Sequence, residues 1–407
     1  MRSPRTGSLE SLRARNRLRV VDALRSRGSV SRADIARLTG LSRTTVSSLI
    51  TDLQATGLVV EREVAGAPAG AQGGRPPTLL ALDSSAGAIV GIDFGHRHVR
   101  VAVGDLSSTV LAETTAELDI DDAAAEALDT AAELVGRLLD EAGVDADHVV
   151  AAGVGLPGPI DRDSGRVNSP KILPGWRDLD PAEEIRSRLD VPVHLENDAN
   201  VGALGESAFG AGAGADVLVY VRLSDGIGAG LVLGGSLFRG ARGIAGELGH
   251  VLVDPDGPIC RCGNRGCLET AVAGSALVEL LRRSHGPLTL PHMIRLANEG
   301  DAGARRVIAD AGRVVGRALA DVCNVLNPDR IVVGGELGEA GDLLLDPLRE
   351  AVGRFAIPAA AEDVEIVPGV LGARAEVLGA LALAVHESDE PLTVPLTHVS
   401  NRGGGAR

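Results

Sequence analysis

The feature of the sequence that most restricts its fold is a repeated order of apolar segment, glycine-containing turn and apolar segment. Residues 88–95 (AIVGIDFG) run into an Asp-x-Gly turn, and a second apolar segment follows at 99–103. About 130 residues later, residues 217–223 (VLVYVRL) run into the glycine-rich turn 225–230, and an apolar segment follows again at 231–233. Two units that open in this way predict a duplicated fold with a cleft between its halves.

Segments with the helical period accompany these predicted strands. Residues 122–142 and 302–326 are two of them. Their alternation with strands predicts a mixed α/β fold with helices on the faces of the sheets. Cys323 lies on the apolar side of the second segment, beside Val325, so we expect it to pack in the core.

The composition is that of a globular protein of two or three domains. The 407 residues are 44% hydrophobic and 23% charged, which is ordinary for a globular chain. No apolar run reaches the roughly 18 residues of a membrane span, and no apolar stretch follows the basic start as it would in a secretory signal. Four cysteines are too few for a disulfide scaffold of this size, so we expect a cytoplasmic protein.

Charge divides the chain into a basic head and an acidic body. The whole chain has a net charge of −15, which by itself argues against a nucleic-acid partner. Residues 1–64, however, contain twelve arginines and six acidic residues, a net charge of +6, so the remainder carries −21. A basic head on an acidic body indicates a small nucleic-acid-binding module joined to another domain. The alternative is a solvated, arginine-rich face.

The basic head has the pattern of a helix-turn-helix. A first helix is predicted over residues 8–27. A capping box at 31–34, with Asp in place of the usual Glu or Gln, starts a second helix. Gly40 forms the turn and Ser42 caps a third helix. The inward apolar stripe of that third helix is Val46, Leu49, Ile50 and Leu53.

The outward face of the third helix suits contacts with DNA. Short hydroxyl groups and an arginine near the N-terminus of a recognition helix fit base edges in the major groove and phosphate oxygens. A first wing strand is predicted over 58–64. The predicted DNA contacts of the head and wing are Arg32, Ser42, Arg43, Thr44, Ser47, Ser48, Arg62 and Arg75. The alternative is a helical hairpin without affinity for DNA.

A segment rich in glycine, proline and alanine follows the wing strand. Residues 65–78 (AGAPAGAQGGRPPT) read as a wing tip and linker. Arg75 stands between glycines and prolines, so its backbone would be able to lie close to a minor groove. The alternative for Arg75 is an ordinary linker residue.

Three of the four cysteines and one histidine have the spacing of a metal site. Cys260, Cys262 and Cys267 lie in one short loop, and His250 precedes the first of them by ten residues. Three thiolates and one imidazole complete a tetrahedral structural zinc site with no open position. Without a metal, three free cysteines in one loop of a cytoplasmic protein would be a redox liability.

Polar residues that suit a sugar lie around this loop and after a predicted strand. Glu247 and His250 are three residues apart, and Glu269 follows the last cysteine of the loop. Asn197 and Asp198 end a predicted strand, and a helix is predicted from Val201. Carboxylate, amide and imidazole groups pair well with vicinal hydroxyls, and an aspartate at a strand end would serve as a general base. The alternative for the Asn-Asp pair is an Asx turn or a helix cap.

Together these segments resemble the ROK family of repressors, open reading frames and sugar kinases over residues 10–385. The matching segments are 153–161 (GVGLPGPID), 196–200 (ENDAN), 225–230 (DGIGAG), 246–250 (GELGH), 260–269 (CRCGNRGCLE) and 332–335 (VVGG). The resemblance implies a winged helix-turn-helix followed by a two-lobed, actin-like ATPase domain (sugar kinase and RNase H-like class) with a zinc loop and a sugar in the cleft. It implies sugar contacts from Asn197, Asp198, Glu247, His250 and Glu269, zinc ligands at His250, Cys260, Cys262 and Cys267, and Trp176 at the rim of the sugar pocket.

The resemblance and the division of charge give the predicted domains. We expect a winged helix-turn-helix at 1–64, a wing tip and linker at 65–80, and a sugar-binding domain at 81–386 with lobes at about 81–210 and 211–386. The polar tail at 387–407 is expected to be disordered.

Two glycine loops bear on the choice between a repressor and a kinase. In kinases of the family the first phosphate loop reads Asp-x-Gly-Gly-Thr, whereas here His96 and Arg97 replace the second Gly and the Thr. A histidine would obstruct close approach of the backbone to a phosphate, although Arg97 would add a positive charge. In the second loop an aspartate replaces the usual threonine and adds negative charge, which opposes phosphoryl transfer. The predicted vestigial phosphate loops contain Asp93, Gly95, Asp225, Gly226 and Gly228.

The expected function is a DNA-binding transcriptional repressor of carbohydrate-metabolism genes. It would bind operator DNA as a homodimer or homotetramer and respond to a sugar or a sugar phosphate. One alternative is an ATP- and Mg-dependent sugar kinase with Asp198 as its general base. Another is constitutive DNA binding tuned by a partner protein, with a degenerate sugar pocket; the complete set of predicted sugar contacts argues against it.

Overall fold

The computed structural model describes most of the chain between residues 13 and 386. The described residues are 13, 16, 17, 19–21, 23, 24, 27–55, 57–62, 78–83, 87–161, 164–167 and 172–386. The predicted contact at Arg75 and the predicted tail at 387–407 lie outside them. Among the described residues, no helix combines the length and the hydropathy needed to cross a membrane.

The head contains the predicted helix-turn-helix. The described residues between Arg13 and Arg27 are helical, and helices α1 (Arg32–Thr39) and α2 (Arg43–Ala55) follow. The two predicted caps form: the Ser31 hydroxyl accepts from the backbone N–H of residue 34 at 3.2 Å, and the Ser42 hydroxyl accepts from that of residue 45 at 3.1 Å. The turn between the helices is left-handed at residue 40, with φ of 68°, which glycine adopts without strain.

The wing is a small antiparallel sheet. Strand β1 (Val59–Arg62) pairs with β2 (Leu79–Leu82), and Val30 adds an antiparallel bridge to Leu80. Strand β2 was not predicted from the sequence, and it spans the expected boundary between residues 80 and 81. The segment 79–82 (LLAL) is short and follows a proline pair. No turn signal in the sequence indicated that it would pair with β1.

Two five-stranded sheets with the same topology follow the head, which confirms the predicted duplication. The first contains β3 (Ala88–Gly95), β4 (His98–Asp105), β5 (Val110–Glu117), β6 (Val149–Leu156) and β7 (Val193–Asn197). The second contains β8 (Val217–Leu223), β9 (Ile227–Leu233), β10 (Ser236–Leu237), β11 (Arg330–Gly334) and β12 (Glu365–Pro368). Their strand orders are β5-β4-β3-β6-β7 and β10-β9-β8-β11-β12. In each sheet the first three strands are antiparallel neighbours and the last two are added in parallel.

Ten helices among the described residues of the body cover these sheets or lie beside them. They are α3 (Ala124–Ala142), α4 (Pro181–Leu189), α5 (Asp198–Phe209), α6 (Leu268–Val272), α7 (Gly274–His285), α8 (Leu290–Asn298), α9 (Ala302–Leu326), α10 (Asp342–Phe355), α11 (Pro358–Ala361) and α12 (Ala375–His386). Cys323 of α9 is fully buried in the second apolar core, as expected, but Val325 on the same helix is 80% exposed and does not share that face.

Helices α5 and α12 cross between the two sheets. Helix α5 follows the first sheet but packs on β8 and β9 of the second, whereas α12 follows the second sheet and packs on β3 and β6 of the first. The two helices touch so closely that a Cβ atom at Gly379 would overlap the Val201 carbonyl oxygen. Leu381 of α12 also belongs to the same buried apolar cluster as Leu53 and Leu80 of the head.

Candidate functional site

The three loop cysteines and His250 come together as predicted. Their ligand atoms all lie within 4.8 Å of one another. The Cys260 Sγ lies 3.7 Å from the His250 Nδ1, and the Cys262 Sγ lies 3.7 Å from the Cys267 Sγ. With zinc–sulfur bonds of about 2.3 Å, the edge of a tetrahedron of sulfurs is about 3.8 Å. The residues present therefore fit a four-coordinate zinc ion.

Backbone contacts hold this loop in shape. Residue 260 donates its N–H to the Asn264 carbonyl at 2.7 Å, and the Arg265 guanidinium donates to the Gly257 carbonyl at 2.7 Å. Gly266 has a φ of 65° and lies against the Asp254 backbone, where a Cβ atom would overlap the carbonyl oxygen. Burial, together with the neighbouring thiols of Cys260 and Cys262, raises the pKa of the Cys267 thiol to about 12. A bound dication would reverse this preference, because it stabilises thiolates.

The predicted sugar contacts line one cleft between the lobes. Asn197, Asp198, Glu247, His250 and Glu269 are all among its lining residues. The free volume in the cleft is only about 50 Å³, so the two lobes stand close together here.

The zinc loop contributes directly to the cleft through His250. Its Nδ1 faces the cysteine sulfurs, while its Nε2 lies 3.7 Å from the Glu247 Oε2. Burial, together with the nearby charges of Asp198 and Glu269, raises the pKa of Glu247 to about 7. The Glu269 carboxylate is fixed from the other side, where it accepts from the Arg261 Nε at 2.9 Å.

Asn197 acts as a helix cap as well as lining the cleft. Its Oδ1 accepts from the backbone N–H groups of residues 199 and 200 at 2.9 and 3.3 Å, and its Nδ2 donates to the Gly158 carbonyl at 2.9 Å. Helix α5 therefore begins at Asp198, three residues before the predicted start at Val201. The cap allows the first turn of the helix to include the Asp-Ala-Asn sequence that follows.

A buried ion network that was not predicted from the sequence holds Asp198. The Arg222 Nη1 lies 3.3 Å from the Asp198 Oδ2, and its Nε donates to the Glu376 Oε1 at 3.0 Å. The Tyr220 hydroxyl donates to the same Glu376 oxygen at 3.3 Å. Burial alone would lower the pKa of Arg222, but Asp198 and Glu376 together raise it above its ordinary value. The members stand on β8, α5 and α12, so only the folded chain brings them together.

In the first predicted phosphate loop, a histidine other than His96 lies against the glycine. The ring of His98 lies against Gly95, where it would overlap a Cβ atom, and its Nε2 is 2.9 Å from the Asp93 Oδ2. His96, the predicted obstruction, instead turns its Nδ1 to the Asp121 Oδ1 at 2.7 Å. Residue 98 lies on the neighbouring strand and faces back across the turn. The spacing of residues within the loop therefore did not indicate that its ring would contact Gly95.

The second vestigial loop is shorter than predicted. The turn ends at Gly226, and β9 begins at Ile227, so Gly228 is a strand residue. A Cβ atom at Gly228 would lie 2.8 Å from that of Ala199, so this glycine permits close packing of α5 on the strand. Asp225 lies across the cleft from Arg97, with Oδ2 and Nη2 separated by 3.7 Å.

Trp176 is not at the rim of the sugar pocket, contrary to the expectation. Its side chain is fully buried, and the indole N–H donates to the Ile120 carbonyl at 2.9 Å. The ring packs edge-on against Phe94 with centroids 5.3 Å apart. It belongs to the core of the first lobe because the short helical turn around it folds inward.

The outward residues of the recognition helix are accessible. Five of the predicted DNA contacts are exposed on or beside α2, namely Ser42, Arg43, Thr44, Ser47 and Ser48, and Arg62 is exposed on the wing. Arg32 differs from them because its guanidinium is held by Gln54 at 3.2 Å and by Glu61 at 3.3 Å. It joins α1 to the wing and would have to leave these partners to reach DNA.

Comparison with known proteins matches both parts of the chain. A family model described as the ROK family matches residues 89–387, and one described as the MarR family matches residues 14–67. The xylose repressor of Bacillus subtilis is 30% identical over 365 residues, which cover 90% of this chain and 93% of that protein. The glucokinase of Thermotoga maritima is 33% identical over 310 residues, which cover 72% of this chain and 96% of that enzyme.

A solved structure extends the similarity to the whole arrangement. It is a ROK family transcriptional regulator, described as a homologue of the Escherichia coli MLC protein, with a TM-score of 0.76 and 26% identity. The alignment covers 94% of this chain and 98% of that one.

Proposed function

Because this chain belongs to the ROK family, we propose that it is a transcriptional repressor whose affinity for operator DNA changes when a sugar binds in the cleft. The matches confirm the predicted fold class, a MarR-type winged helix joined to a ROK domain of the actin-like ATPase fold. The observation that carries the proposal is the contrast between the two halves of the cleft. The predicted sugar contacts line one cleft, whereas the His98 ring lies against Gly95 in the loop that would hold a phosphate in a kinase of the family.

The head would bind a two-fold symmetric operator through two copies of the chain. Helix α2 presents Arg43, Thr44 and Ser47 to solvent, which suits the major groove. The predicted target genes, those of carbohydrate metabolism, follow from the xylose repressor relative. A homodimer is the smallest assembly that would present two recognition helices to one such site.

Zinc would have a structural role in this regulator. The ion would be held by His250, Cys260, Cys262 and Cys267. It would cross-link the loop, and its four protein ligands would leave no coordination position open for catalysis. The His250 ring would then be fixed with its Nε2 toward Glu247 and the sugar. A sugar hydroxyl in the cleft would meet the Asp198, Glu247 and Glu269 carboxylates, which are acceptors when ionised.

Sugar binding would reach the head through α12. The cleft residue Asp198 is joined by Arg222 to Glu376 at the start of that helix, and the apolar cluster of α12 includes residues of the head. A sugar that competes for Asp198 would favour one arrangement of these helices. It acts only to the extent that it binds one arrangement more tightly than the other.

The second candidate function is a sugar kinase, favoured by the presence of Asp198 in the position of a general base and by the similarity to a glucokinase. Two contacts oppose it. Arg222 holds Asp198, and His98 holds the Asp93 carboxylate that would face the phosphates.

A thermal-shift panel followed by an operator titration tests the proposal. Zinc-loaded protein is heated with each of a set of sugars, with and without Mg-ATP, because a ligand of the native state raises Tm. We expect a shift with one group of sugars and none from Mg-ATP. The same sugars should change the fluorescence anisotropy of an operator selected from a random library. A shift with Mg-ATP together with ADP release would make the kinase the better assignment, and sugars without effect on operator affinity would refute the repressor mechanism.

A further inference from the structure

A second cavity opens directly beside the sugar cleft. It has a volume of about 420 Å³, within the range of about 300–1,000 Å³ found for small-molecule sites. His96, Arg261 and Glu269 line both the cleft and this cavity. We call it the side cavity, and its remaining lining residues are Arg97, Asp119, Asp121, Asp225, Ile259, Cys260, Thr270, Ala273, Ser275 and Ala276.

The side cavity is a poor site for a nucleoside triphosphate. The lining contains four carboxylate side chains and two arginines, so the fixed charge repels an anion. Both arginines already face carboxylates, Arg97 toward Asp225 and Arg261 toward Glu269.

The lining instead suits a neutral polyol. Hydrogen-bonding groups are held in place by one another, as in the His96–Asp121 pair at 2.7 Å and the Arg261–Glu269 pair at 2.9 Å. Acceptors and donors therefore stand at fixed positions, which matches the paired hydroxyls of a sugar ring. The side of the cavity formed by the start of α7 carries the small residues Ser275 and Ala276, which leave room for a ring.

We propose that the effector is a neutral disaccharide or other glycoside, with one ring in the cleft and the next ring in the side cavity. This inference rests on the proposed function and names the class of its ligand. Glu269, one of the three residues that line both spaces, would contact the ligand near the bond between the rings.

Matched sugars and one cavity-filling variant test this assignment. The probes are glucose against cellobiose and maltose, and xylose against xylobiose, measured by calorimetry on full-length, zinc-loaded protein. One disaccharide should bind at least about tenfold more tightly than its monosaccharide, since two or three additional hydrogen bonds are worth that much. Ala276→Phe should remove this advantage and leave the affinity for the monosaccharide unchanged. Leu280→Phe on the same helix, where the native side chain is 67% exposed and outside the cavity, should change neither.

The outcomes separate this inference from the function on which it rests. Equal affinity for one and two rings in the wild-type protein, or a preference that survives Ala276→Phe, would overturn the inference. A monosaccharide that alone changes operator affinity would do the same while supporting the repressor. If no sugar binds and none changes operator affinity, both fail. Should Ala276→Phe misfold, Ser275→Glu places a charge at the same wall and is expected to reduce disaccharide affinity selectively.

Discussion

Replacing Arg222 by methionine removes the one described cation that faces both Asp198 and Glu376. The side chains of these three residues are 15%, 12% and 7% exposed, so water would reach the two remaining carboxylates only poorly. Breaking a buried ion pair from one side costs about 3–5 kcal/mol, because it leaves uncompensated charge in the interior. We expect Arg222→Met to lower the free energy of unfolding by that amount at pH 7.5.

The magnitude depends on pH in a direction that the structure fixes. Burial raises the pKa of Glu376, and Arg222 opposes this rise. Without Arg222 the pKa of Glu376 in the folded protein rises further, so the folded state binds more protons than the unfolded state over the intervening pH range. Stability of the variant is then greatest at low pH and falls as pH rises through the folded pKa. The loss relative to wild type should therefore be smaller at pH 5.5 than at pH 8.

The assay is urea unfolding of zinc-loaded protein followed by circular dichroism, with the slope of the transition compared between variants. Adding Glu376→Gln to Arg222→Met removes one unpaired charge, and the double variant should recover about 1–3 kcal/mol relative to Arg222→Met alone. Glu376→Gln by itself leaves Arg222 paired with Asp198 and should cost less than Arg222→Met. A loss below about 1 kcal/mol for Arg222→Met, or an equal loss at the two pH values, would refute the reasoning.

Four further changes test other parts of the molecule. Cys262→Ser should reduce the zinc content from one ion per chain and lower Tm, as measured by elemental analysis and a thermal melt; unchanged zinc content would contradict the site. Arg43→Ala should weaken operator binding by about 1–3 kcal/mol if Arg43 contacts a base. If the contact is to a phosphate, the slope of log affinity against log salt concentration should decrease by about 1. An unchanged anisotropy titration would show that Arg43 does not contact the operator. His98→Ala should allow Mg-ADP to raise Tm, whereas we expect no shift in the wild type. If Mg-ADP does not raise the Tm of the variant either, the His98 ring is not what prevents nucleotide binding. Gly379→Ala should cost about 3 kcal/mol or more by overpacking against Val201, and an unchanged urea midpoint would show that α5 and α12 separate freely.

Three of these changes, Cys262→Ser, Arg43→Ala and Gly379→Ala, have a matched control in the chain. Cys323→Ala removes a buried thiol from the second core and should lower stability without changing zinc content. Arg37→Ala removes an exposed arginine that pairs with Asp34 on α1, and should leave operator specificity intact. Gly353→Ala adds a methyl group where no described atom lies within 4 Å, and should be neutral or slightly stabilising because alanine favours helix.

Local patterns in the sequence determined the elements and the metal-ligand group. Strands β3 and β8 and helix α9 run over the predicted residues, because apolar period and glycine turns are local properties of the chain. The cap at Ser42 and the inward stripe of α2 follow from hydrogen bonding and burial within one helix. The cysteines and His250 meet because they lie close in sequence, so a short loop is enough to bring their ligand atoms together.

What depends on distant contacts became visible only in the tertiary structure. The Asp198–Arg222–Glu376 network joins residues more than 150 positions apart at its ends, and no spacing rule links an arginine inside a strand to a glutamate on the last described helix. Trp176 is a core residue and the His98 ring lies against Gly95, because the direction in which neighbouring elements fold decides both contacts. The exchange of α5 and α12 between the sheets likewise follows from packing of whole elements, which a one-dimensional pattern does not record.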